Sequence, residues 1–291
     1  MKLLTVFETR DTLGESPVWN EDDQRLWYTD IDRAVLKRLD PITGEVAVTA
    51  LSERLGSFCL ISGSPDRVLG AFESGFGWLD VHSGAIEWLE RPERGRTGRR
   101  LNDGRCDRSG RFWAGSMVED DDVAADRLGA LYRVGPDGSS EVMDQGFLVS
   151  NGLAFSPDGG TVYFSDSRRR EIYRYPLALD GRLGGRELWC EVADGKPDGA
   201  TVDAEGRLWS ALWGGSKLAR FHPDGQRLED IAMPLTQPTS LAFGGPDLTW
   251  VFVTSASKGD TSGHNGSVLM FESDCPGLSE GRFVTDAVRA A

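Results

Sequence analysis

One phrase returns along this chain in altered spelling: a small polar start, a short apolar run, a turn rich in Asp and Gly, and a second run of aromatic and apolar residues. It reads Glu15–Trp19 (ESPVW) then Arg25–Asp30 (RLWYTD), and Asp103–Asp107 (DGRCD) then Arg111–Gly115 (RFWAG). It returns as Asn151–Phe155 (NGLAF) then Thr161–Asp166 (TVYFSD), and as Asp198–Asp203 (DGATVD) then Arg207–Ala211 (RLWSA). Weaker copies begin near Ser57 and Pro238. Six units spaced roughly 40 to 50 residues apart predict a six-bladed β-propeller, each unit a four-stranded blade that buries its faces only against its neighbours. The fold class expected is therefore all-β. With no linker between copies, residues 1–291 are read as one domain.

Within a unit, the run after the polar start is expected to be the innermost strand. The turns at Arg108–Gly110, Ser156–Gly160 and Ala204–Gly206 then reverse the chain into the second strand. Val35–Leu39, Ala130–Val134, Glu171–Tyr175 and Lys217–Phe221 alternate apolar with charged residues, as half-buried third strands do. Repeated Pro-Asp-Gly triplets are turn chemistry, so Asp137, Asp158 and Asp224 are assigned no chemical role. Three segments break the pattern: the Arg-rich stretch Arg91–Arg100, the acidic run Glu119–Asp126, and the polar loop Ala256–Gly266. Each is expected near the mouth of the central channel.

Composition excludes several partners. The net charge of −14 opposes binding to nucleic acid, which requires a basic face, and to anionic membrane surfaces. No apolar stretch is long enough for a signal peptide or a membrane span, so a cytoplasmic location is expected. Cys59, Cys106, Cys190 and Cys275 form no Cys-x-x-Cys pair and are read as reduced structural thiols. His82, His222 and His264 fall in turns or a polar loop and are read as surface residues, which leaves no Ser-His-Asp triad. No sequence feature sets an oligomeric state.

The starts of inner strands converge on the axis, and there the chain places Glu15, Asp103, Asn151 and Asp198. One polar residue in a water-lined channel is commonly only hydrated. Acid or amide oxygens on four different blades instead point to a cation. All the donors are oxygen, which suits a hard divalent ion and not a structural zinc.

Six strings carry a resemblance to a known family: Gly14–Trp19 (GESPVW), Arg100–Asp107 (RLNDGRCD), Gly110–Met117 (GRFWAGSM), Ser150–Asp158 (SNGLAFSPD), Pro197–Asp203 (PDGATVD) and Ala242–Leu248 (AFGGPDL). In order and spacing, over nearly the whole chain, they resemble the gluconolactonase/regucalcin (senescence marker protein type) family. The resemblance implies a six-bladed propeller that holds one divalent metal (Ca, Mg, Mn, Zn or Fe) and hydrolyses a small-molecule sugar lactone. It places the metal ligands at Glu15, Asn151 and Asp198, with Asp198 also the general base. It places substrate contacts at Arg100 and Asn102, and an acidic contact at Asp120 by ungapped count, with Glu119 its neighbour. Asp103 is favoured by the repeat, whereas the resemblance favours Asn102; the resemblance is followed. The metal would polarise the lactone carbonyl and acidify a water. Two other readings are an esterase or organophosphate hydrolase using the same metal and acid, and a non-enzymatic Ca²⁺-binding propeller.

Overall fold

The computed structural model describes residues 1–119 and 128–286, and among these residues the strands form six four-stranded sheets. The first sheet is β2 (Gly14–Asn20), β3 (Arg25–Asp30), β4 (Val35–Leu39) and β5 (Val46–Ala50), in sequence order and antiparallel throughout. The next four sheets repeat this meander, with inner strands β6 (Leu55–Ile61), β10 (Arg99–Cys106), β14 (Ser150–Phe155) and β18 (Lys196–Val202). The sixth begins with β22 (Pro238–Gly244), β23 (Trp250–Ser255) and β24 (Val268–Glu272). Its outermost strand is not the next stretch of chain but β1 (Lys2–Phe7), paired antiparallel with β24. Each inner strand touches the next around the ring, and β22 returns to β2, so the sheets close into the six-bladed propeller that the repeat predicts. The N-terminal closing strand is not marked in the repeat.

The strands follow their residues. β4 mixes half-buried with buried positions, while β2 and β6 are buried along their whole length, because inner strands are covered by neighbours on both sides. The core lies between blades. Cys59, Leu69, Phe76, Leu101, Phe112 and Tyr132 form one cluster that welds the second blade to the third, and comparable clusters fill the other gaps. Each fully buried Phe contributes roughly 1.5–3 kcal/mol. Near the axis the backbones come too close for side chains: a Cβ on Gly199 would lie 2.1 Å from Ser240 Oγ of the next blade.

A buried aspartate clamps two of the inner-strand turns. Asp203 accepts hydrogen bonds from the backbone N–H of Glu205 and Arg207, from Arg207 Nε and from Trp209 Nε1; Asp107 does the same for Ser109, Arg111 and Trp113. The last described segment runs across the blade ends opposite the inner-strand starts. Gly277 bonds Leu248, Pro276 accepts from Ala204, Glu280 pairs with Arg105, and Phe283 exchanges backbone bonds with Leu60 and Ser62. Cys59, Cys106 and Cys275 are buried and Cys190 half-buried, all as free thiols. His82 and His222 are exposed, as expected, whereas His264 is half-buried. Among the described residues no helix is long and apolar enough to cross a membrane.

Candidate active site

Every inner strand carries a β-bulge near its start. Between Glu15 and Val18 the chain spends one more residue than the partner stretch Trp27–Thr29, and the same happens between Leu101 and Gly104, Asn151 and Ala154, and Pro197 and Ala200. A bulge twists the strand and re-aims its side chains. Ser16 and Gly152, in equivalent places just after Glu15 and Asn151, take positive φ of 49° and 58°. Glycine adopts this conformation freely, whereas for serine it is strained.

These kinks bring five of the six expected side chains to one place. Glu15, Arg100, Asn102, Asn151 and Asp198 line a cavity of about 280 Å³ that opens at the inner-strand starts. Asp120 lies outside the described residues. Glu119 does not line the cavity: it accepts two hydrogen bonds from Arg54, at 2.7 and 2.9 Å, and one from Arg100 Nε at 3.2 Å. Arg54 above all, through its hydrogen bonds, draws the Glu119 carboxyl down to about 2. Glu119 thus fixes Arg100.

The ladder register decides between Asn102 and Asp103. Counted back five positions from the turn-clamping aspartates, Asp107 leads to Asn102 and Asp203 leads to Asp198. Asn102 and Asp198 are therefore structurally equivalent, the first extra residue of each bulge, and Asp103 corresponds to Gly199. Aligning the Asp-Gly dipeptides misplaced the repeat by one residue in that copy. The Asp103 carboxylate is turned away from the cavity lining and accepts the backbone N–H groups of Gly104 and Leu153, each at 2.9 Å. The clamping aspartates were the sequence signal that fixes this register.

A directional chain of hydrogen bonds crosses three blades. Arg100 donates to Asn102 Oδ1, and Asn102 Nδ2 donates to Asn151 Oδ1 at 2.9 Å and to the Ser150 carbonyl at 2.8 Å. Asn151 Nδ2 donates to Ser167 Oγ at 2.8 Å, and Ser167 donates to the Pro197 carbonyl at 2.6 Å, next to Asp198. Both amides are thereby oriented, and Asn151 Oδ1 keeps one lone pair towards the cavity.

The carboxylates are the unbalanced element. Glu15 and Asp198 are 7 % and 6 % exposed. Burial first, then the charge of Asp103, pushes Glu15 up to about 8; burial, then Glu15, then Asp103, raises Asp198 well above the usual carboxylate range. Two adjoining buried acids without a bridging cation oppose ionisation. A donor set of two carboxylates and one amide oxygen, aimed by the inner-strand bulges, fits a hard divalent ion.

The fold and this cavity of acids, amides and basic side chains define a six-bladed propeller with a polar cavity at its inner-strand starts. More narrowly, the chain belongs to the SMP-30/gluconolactonase/LRE-like family, whose region matches residues 13–257. It is 39 % identical over 290 residues to 6-deoxy-6-sulfogluconolactonase of Pseudomonas putida, covering 97 % of this chain and 98 % of that one. It is 33 % identical over 286 residues to L-arabinolactonase of Azospirillum brasilense, covering 95 % and 93 %. Among solved structures, the calcium-binding protein regucalcin of Agrobacterium tumefaciens superimposes with a TM-score of 0.87 at 28 % identity, covering 97 % of each chain.

Proposed function

We propose that this chain, a single propeller domain, hydrolyses a sugar lactone to its sugar acid. The observation that carries the reading is the convergence of Glu15, Asn102, Asn151, Asp198 and Arg100 on one cavity, in a family with lactonase relatives. Glu15, Asn151 and Asp198 would hold one divalent ion. Such an ion polarises a lactone carbonyl and lowers the pKa of water. Asp198 takes the proton of the attacking water and returns it to the ring oxygen as the ring C–O bond breaks, so that lactone and water become one hydroxy acid. Arg100, steadied by Glu119 and Asn102, presents its remaining N–H donors to ring hydroxyls and to the negative charge that grows on the carbonyl oxygen, and Asn102, whose two N–H groups are held by Ser150 and Asn151, offers the second lone pair of its Oδ1 to a ring hydroxyl. A protein that only stores calcium needs no such hydroxyl-reading pair beside its ligands.

The test is a panel of aldonolactones followed by acid release, with chelated protein and single metals added back. Asp198→Asn keeps the side-chain shape and is expected to lower kcat about 10²–10⁴-fold while the circular dichroism stays that of the folded propeller. Full activity in that variant removes Asp198 as base. Glu15→Gln is expected to weaken metal binding in calorimetry; unchanged affinity takes Glu15 out of the ligand set. Activity on no lactone with any metal leaves the calcium-binding reading.

A further inference from the structure

We infer that the lactone taken by this cavity carries an anionic group remote from its ring carbonyl, and that Lys196 reads that group; the inference rests on the lactonase reading above. The whole chain bears a net charge of −14, yet the side chains lining the cavity include Arg100, Arg168, Lys196 and Lys258 against two carboxylates, Glu15 and Asp198. With the two acids committed to a divalent ion, and Glu119 and Asp32 set against Arg100 and Lys258, Lys196 remains as a lining cation without an acidic partner among the described residues, and an unopposed charge in a cleft draws in the opposite sign.

Three of these cations are engaged. Arg100 is bound to Asn102 and Glu119, Arg168 donates to the Val118 carbonyl, and Lys258 pairs with Asp32 at 3.0 Å. The Lys196 side chain has no hydrogen bond or ion pair among the described residues. It opens β18 two residues before Asp198, so its backbone root stands about 7 Å from that of the proposed base, at roughly 3.3 Å per strand residue. A lactone with its carbonyl at Asp198 extends its far carbon across a comparable distance, within reach of the ammonium. Trp213 is the direct cross-strand partner of Lys196 and lines the same cavity. Its ring forms a flat apolar wall for the C–H face of a sugar between the reacting end and the ammonium. Carbonyl, ring and distal anion are thus each met by a different kind of group.

The chemistry named is a sulfonate, phosphate or carboxylate on the carbon farthest from the lactone carbonyl. The experiment compares kcat/KM of the metal-loaded protein for gluconolactone with kcat/KM for the same ring bearing each anion in turn. The anionic lactones are expected to be preferred by about tenfold or more, as a hydrogen bond from an ammonium to an anion warrants. The ratio of anionic to neutral efficiency is expected to fall about tenfold in Lys196→Met, through KM more than kcat, and to recover in large part in Lys196→Arg. Added salt is expected to narrow the preference. Which of the three anions shows the largest ratio identifies the substituent. An anionic-to-neutral ratio near one in the wild type, or a ratio that Lys196→Met leaves unchanged, overturns the inference while the lactonase reading stands. Failure to hydrolyse any lactone overturns both.

Discussion

Glu15 and Asp198 show how a fold can hold a site at its own expense. Each carboxylate is buried at the end of a kinked inner strand, and burial above all raises the proton affinity of both, with the charge of Asp103 adding to it at Glu15 and the charges of Glu15 and Asp103 adding to it at Asp198. The sign of the resulting pH dependence follows from linkage. Glu15 has an ordinary value of 4.5 and a folded value of about 8, so the folded state binds this proton more tightly than the unfolded one. The contribution to stability is complete below the ordinary value and is lost as the pH climbs through the folded one. Protein stripped with a chelator is therefore expected to melt at progressively lower temperature as the pH is raised from 4.5 to about 8. Glu15→Gln flattens that decline, and a divalent ion added at the upper end restores the midpoint. A flat melting profile in the chelated wild type would show that these acids are not coupled as described.

At the scale of elements, the bulge is the part that aims inner-strand side chains into the cavity. Ser16 holds a left-handed conformation inside it, and Gly152 does the same in the fourth blade. Ser16→Gly is expected to leave the melting temperature equal or higher, because glycine adopts that φ without strain, and Ser16→Val to lower stability by about 2 kcal/mol. The turn clamp at the other end of the strand is a second element with a measurable weight. Asp203 is fully buried and accepts from two backbone N–H groups, an arginine and a tryptophan. Asp203→Ala strands those donors and is expected to cost about 3 kcal/mol in denaturant unfolding. Both devices bear on what the sequence tells a reader. The blades, their third strands and their turns are legible because alternation and Asp-Gly chemistry are local. Glu15, Asn151 and Asp198 are legible because each begins a repeat. Asn102 is hidden from the repeat by its neighbour, since an Asp-Gly pair at residues 103 and 104 imitates the one at 198 and 199. Only a count from the clamping aspartates restores the register. Lys196 has no local signature at all; its meaning depends on Trp213 beside it and on its ammonium making no ion pair among the described residues, which are facts of assembly.

The whole molecule depends on closure, and closure is non-local. β1 is far in sequence from the strand it joins, so no repeat unit announces it, and the strap through Phe283 crosses several blades without resembling any. A ring of sheets that contact only their neighbours has its weakest seam where the two ends of the chain meet. Here the seam is the sixth sheet, in which β1 pairs with β24 and Phe7 enters the core beside Trp19, Tyr28 and Val268. Removing residues 2–7 takes away one of four strands, opens a gap in that core and leaves the β24 edge bare. The lost burial of Phe7 together with a strand's ladder is expected to lower the melting temperature by about 5–10 °C. The bare edge is a template for pairing, so the shortened chain is also expected to associate on sizing columns at concentrations where the full chain does not. Lactone hydrolysis at low temperature separates two ways in which the seam can serve the site. β1 is the outermost strand of its sheet and supplies none of the cavity lining, so activity per folded molecule is expected to persist if β22 stays against β2 and β18. Activity lost together with the melting midpoint would show instead that the inner strands hold their positions only while the ring is tied, and that the alignment of Glu15 with Asp198 is itself maintained by the closing strand.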